Sequence, residues 1–238
     1  MNEILAPAIF IVFVTTADAS NLEEDDFVSE SILSILYHEL GHAMIDLLGV
    51  SIFGKGDDVV DVVSTLMVDF YFEEEIAAQD IAINAALLNS AFSLGGEEVL
   101  YWDKHGPDEE RYYSQVCIFY GGNIERRANY AEIMGLTEDR AKWCEEEYNQ
   151  ASDSWGYVFE QLEQLNGEMI IVDHIGSNVA EFLKTGIEFL NSQIGFPDTL
   201  KIHLDRCGEP NAFYDLNDSS ITICGELEEF LREPYQKM

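Results

Sequence analysis

His38-Glu39-Leu40-Gly41-His42 places two imidazoles four residues apart, with a carboxylate directly after the first. On an α-helix, residues i and i+4 lie one turn apart on the same face, so both rings can reach one cation, while Glu39 is angled toward water held there. Zinc in such a site lowers the pKa of bound water to near neutrality and polarises a carbonyl. A neighbouring carboxylate then relays the proton to the leaving group. The spacing predicts a hydrolytic zinc centre with His38 and His42 on the metal and Glu39 as general base.

A tetrahedral zinc with one open position needs a third protein ligand. The extended pattern with Gly and His three and six residues after the second histidine is absent, since those positions hold Ile45 and Leu48. Zincins of the other large branch take a glutamate from the next helix and use an aspartate four residues later to orient a ligand histidine. Here Asp57-Asp58-Val59-Val60-Asp61 opens the next helix, and Asp57 and Asp61 share a face. Asp57 is assigned as third ligand and Asp61 as the orienting carboxylate. An exchange of roles, with Asp61 or Asp58 on the metal, stays open, as does an acidic first turn that serves only the helix dipole. Asp is one methylene shorter than Glu, so the two helices must approach more closely. Gly41 and Ala43 keep the histidine helix slim near the metal. His105 is the candidate for stabilising the oxyanion of a tetrahedral intermediate, with Arg111 or Tyr112 as alternatives. Trp143, Trp155 and the Tyr112-Tyr113 pair read as core, and His174 and His203 as structural.

These residues need elements to position them. Phe27 to Leu48 carries apolar residues at helical spacing and closes on Gly49. Asp57 to about Phe72 reads as a second helix, Glu73 to Leu94 as a third, and Asp108 to Tyr120 as a fourth behind a loop at 101–107. Thr137 caps a long helix to about Leu165. After Asn166-Gly167 the pattern changes. Short β-like runs at 169–172 and 199–204 flank an amphipathic helix at 178–194. Ala212–Tyr214 and Ile221–Cys224 flank a polar turn as a hairpin would, before a last helix near Glu226. The expected architecture is mainly helical α+β: a zincin-like helical catalytic unit over 20–165, and a small unit of helix and β-hairpin over 166–238 packed on it.

In 238 residues, 46 Asp and Glu stand against 12 Lys and Arg, a formal charge of −34. This disfavours nucleic acid or an anionic membrane surface as partner, because phosphate binding needs clustered basic residues. The blander consequence is a solvated, salt-tolerant surface. An apolar run from Ile4 to Val14, followed by Ala17-Asp18-Ala19, reads as a signal peptide over 1–19 cut before Ser20, although Glu3 stands where such signals carry a basic residue. Export implies a secreted or periplasmic protein with no stable membrane span once the signal is removed. Cys117, Cys144, Cys207 and Cys224 contain no Cys-x-x-Cys pair, which disfavours a cysteine zinc site, and an even count in an exported chain points to disulfides, with 117–144 and 207–224 the favoured pairs among three connectivities.

Several separated segments resemble a known group: HELGHAMIDLL, GKGDDVVD, WDKHGPDEERYYSQVCIFYG, RAKWCEEEY with Trp155, and CGEPNAFYD followed by ITICGEL. Together they are similar to a bacterial family of uncharacterised metallopeptidases, often exported, within the gluzincin-like zincins. The family usually has Glu-Glu-Asp where this chain has Gly56-Asp57-Asp58, and Glu-His-Ser where it has Lys104-His105-Gly106. The resemblance implies a minimal zinc peptidase acting on a peptide or protein. CGEPNAFYD is read as a disulfide-braced hairpin in preference to a substrate wall. The competing functions are an inactive zincin-scaffold binding or inhibitory module, suggested by the Asp-for-Glu change, and a zinc amidase of cell-wall peptides.

Overall fold

A computed structural model describes residues 16–72, 74–93, 107–176 and 178–235. The helix carrying the histidines, α1 (Thr16–Leu47), runs through the middle of the molecule and packs on α2 (Gly56–Tyr71), α3 (Glu75–Ser93), α7 (Asn178–Asn191) and α8 (Glu226–Tyr235). Its sequence explains the central position: Val28, Ile32, Leu33, Leu36, Tyr37, Leu40, Ala43 and Met44 are all buried, and together they face more than one side. The helix ends at Gly49, whose φ of +62° is the left-handed conformation that glycine adopts without steric penalty. There the Gly49 and Val50 amides donate to the carbonyls of Asp46 and Ile45, closing the last turn.

α1 begins before the expected Phe27. The polar stretch ahead of Phe27 lacks an apolar stripe, so periodicity does not reveal it; Arg232 of α8 holds it by salt bridges to Glu24 (3.4 Å) and Asp25 (2.7 Å). The expected signal segment lies largely outside the described residues, and 16–19 form the first turn of α1.

α4 (Asp108–Gly122), the short α5 (Ala128–Ile133) and α6 (Glu138–Leu162) complete the helical part. Thr137 caps α6 by accepting from the Arg140 amide at 3.3 Å. The sequence pattern does not reveal α5, which at six residues is too short to show a period. Trp155 is buried as expected, but Trp143 is 59% exposed on the outer face of α6. Arg127, between α4 and α5, is buried in a polar hub: it pairs with Asp69 (2.5 Å) and Glu75 (2.8 Å), donates to the Phe119 carbonyl (2.6 Å) and stacks on the Phe119 ring.

The sheet has the order β1-β2-β4-β3, from β1 (Met169–Asp173), β2 (Leu200–Asp205), β3 (Ala212–Asp215) and β4 (Ser220–Cys224). β1 and β2 are parallel with α7 as crossover, β2 and β4 are parallel, and β3 and β4 form the expected antiparallel hairpin. Leu200, Ile202, Leu204, Ile221 and Ile223 fill the inner face and join the helical residues in one apolar core. Both expected disulfides form: Cys117–Cys144 ties α4 to α6, and Cys207–Cys224 ties the chain after β2 to the end of β4. Such bonds belong to chains that fold in an oxidising extracellular or periplasmic compartment. No helix among the described residues is long and apolar enough to cross a membrane.

Candidate metal centre

α1 and α2 cross where α1 has no side chain. A Cβ on Gly41 would stand 2.9 Å from the Val60 Cβ, closer than carbon atoms pack, so only glycine permits this approach. The consequence is that the first turn of α2 reaches the histidine face of α1. His42 Nε2 lies 3.4 Å and His38 Nε2 3.8 Å from the same Asp57 Oδ1. Ligand atoms around a tetrahedral ion with bonds of about 2.1 Å are separated by about 3.4 Å, near both of these distances, and the three donors lie within 4.8 Å of one another. His38, His42 and Asp57 could hold it; Asp58 stands outside the group.

Behind them, Asp61 Oδ1 is 2.8 Å from His38 Nδ1. An Nδ1–H donated to this carboxylate leaves the Nε2 lone pair facing the cation position. Asp61 is itself held by Arg111 of α4, whose Nε and Nη2 donate at 2.7 and 3.1 Å. Burial works against the Asp61 carboxylate, but His38 and Arg111 outweigh it and keep its pKa below the ordinary range. Burial likewise pulls His38 down, yet hydrogen bonds to Asp57 and Asp61 prevail and push it up to about 9.

Glu39 is 7% exposed, and burial raises its pKa; His38, His42 and the backbone amide of Tyr214 act in the opposite direction. A carboxylate desolvated by burial takes up a proton more readily than one in water. These groups line a cleft of about 920 Å³, whose opposite wall is Ala212, Phe213 and Tyr214 of β3. The Tyr214 hydroxyl donates to Asp46 of α1 at 2.8 Å.

Among the expected oxyanion groups, His105 lies outside the described residues, the Arg111 guanidinium is engaged by Asp61, and the Tyr112 hydroxyl donates to the Met134 carbonyl at 2.9 Å. Tyr214 and Asp46 were not anticipated. The one signal was CGEPNAFYD: the segment is the disulfide-braced hairpin expected, and its strand also forms a wall of the cleft. His174 and His203, read as structural, stand near each other on the sheet.

A family model described as DUF4344, putative metallopeptidase, matches residues 7–159 and 172–238. No curated protein matches the chain, and no solved structure does.

Proposed function

The chain belongs to this family of putative metallopeptidases, which implies a metal and a peptide substrate, and from that premise we propose that it is a zinc-dependent peptidase with its centre at His38, His42 and Asp57. The observation that carries the reading is the convergence of both histidine Nε2 atoms on one Asp57 oxygen beside a buried carboxylate, at the floor of a cleft. Two imidazoles and a carboxylate are a donor set that zinc favours, and zinc bound there supplies a Lewis acid that polarises a scissile carbonyl and acidifies water.

Glu39 takes the proton from the attacking water and returns it to the leaving amine, a relay for which its raised pKa suits it. The Tyr214 amide steadies the Glu39 carboxylate. Asp61, braced by Arg111, keeps His38 in the tautomer that offers Nε2. The substrate occupies the groove between α1 and β3. Export, with cleavage before Ser20, accords with the two disulfides.

Purified protein is expected to carry one zinc at this centre, and Glu39→Gln to retain it while losing hydrolysis of a broad peptide library. A folded protein that takes up no metal at His38, His42 and Asp57 defeats the proposal. Digestion of peptidoglycan in parallel separates a peptidase from a cell-wall amidase, and tight partner binding without turnover would point to an inactive scaffold.

A further inference from the structure

The outer face of the sheet carries a second convergence of metal-binding side chains, unrelated to the cleft. Residues two apart on a strand project from the same side. On β2, Ile202 and Leu204 point into the core, so His203 and Asp205 stand on the opposite face. β1 runs parallel beside β2 with Asp173 opposite Leu204, and the His174 amide donates to the Leu204 carbonyl at 3.0 Å. That bond carries the ladder one residue further and sets His174 against Asp205.

His174 Nδ1 lies 2.6 Å from Asp205 Oδ1, and the rings of His174 and His203 are 6.3 Å apart at 35°. One donor atom from each of the three side chains falls within 4.8 Å of the others. The turn that carries His174 is held in place, because the Asp173 carboxylate accepts from the amides of Ile175 (2.9 Å) and Gly176 (2.8 Å).

We propose that His174, His203 and Asp205 form a second cation site, for a divalent first-row transition metal, which pins the end of β1 to β2. Two imidazoles and one carboxylate suit zinc, nickel or copper, whereas calcium and magnesium demand oxygen ligands. A tetrahedral ion needs donors about 3.4 Å apart, and the His174 side chain, 57% exposed, can rotate to close the remaining gap. The formal charge of −34 raises the local concentration of cations around the chain. A neighbouring group, Cys207, Cys224 and Glu226, makes no comparable site, since both sulfurs are joined in a disulfide.

The test is zinc stoichiometry by calorimetry and equilibrium dialysis on tag-free full-length protein, comparing wild type with His203→Ala. That variant leaves the His174–Asp205 pair intact, so a simple ion pair would leave the count unchanged. The expected result is the loss of one bound ion per chain, whatever the cleft binds; equal stoichiometry overturns the proposal. A zinc-soaked crystal of the wild type decides the matter even if the variant does not fold. Anomalous density between the His174 and His203 rings supports the site, and its absence there refutes it.

Discussion

Replacing Gly41 by alanine separates the proposed metal centre from the stability of the fold. The added methyl would stand 2.9 Å from the Val60 Cβ and 3.1 Å from its Cγ1, whereas carbon atoms pack at about 3.5–4.0 Å. α2 must therefore retreat by about 0.6–1 Å, and its first turn carries Asp57 away with it. His42 Nε2 is 3.4 Å from Asp57 Oδ1 in the present geometry, and metal–ligand distances tolerate only about 0.2 Å of error. Metal affinity should fall on the order of 10–100-fold, the range seen when a ligand is misplaced by loss of its support.

Stability should change much less. Overpacking costs about 1–3 kcal/mol, and the better helix propensity of alanine returns about 1 kcal/mol. Competition with a chromophoric chelator measures the affinity, and urea unfolding of the metal-free protein measures the stability. Asp57→Glu in the same background supplies a longer arm across the widened gap and should restore part of the affinity. Unchanged zinc binding by Gly41→Ala would refute the claim that this close approach sets the reach of Asp57.

Arg127→Ala strands Asp69 and Glu75 in a nearly buried hub, and urea denaturation should show a loss of about 3–5 kcal/mol. His38, protonated up to about pH 9 in the metal-free protein, adds stability that is complete below the ordinary imidazole pKa and lost as pH rises through about 9. A cation must displace that proton, so zinc affinity should weaken up to about tenfold per unit as pH falls below 9, as titrations at several pH values will show. Opening Cys117–Cys144, which closes a loop across 27 positions, should destabilise the protein by about 3–4 kcal/mol on chain-entropy grounds; thermal unfolding of the double serine variant measures it.

The hairpin and the strands were legible from local signals, because turn chemistry and alternation are written over a few consecutive residues, whereas the sequence favoured the disulfide pairing that forms but left three connectivities open. α5 was not, for want of length. The start of α1 was hidden because its acidic first part is held by Arg232, more than two hundred positions away. Trp143 misled for a different reason: aromatic residues are core by tendency, but this one falls on the outer face of α6.

At the centre itself, a local rule determined that His38 and His42 share a face with Glu39 beside them, since helical periodicity is a property of neighbouring residues. Residue spacing favoured Asp57 toward the histidines with Asp61 behind it but left an exchange of the two open; the tertiary structure sets Asp57 against the two Nε2 atoms and Asp61 against Nδ1, because both distances depend on where α2 crosses α1. The same holds for the Tyr214 amide on Glu39 and for the trio on the outer sheet face. Those contacts join residues far apart in the chain, and their positions follow from how glycine, valine and the packed core let the elements approach, which no short window of sequence contains.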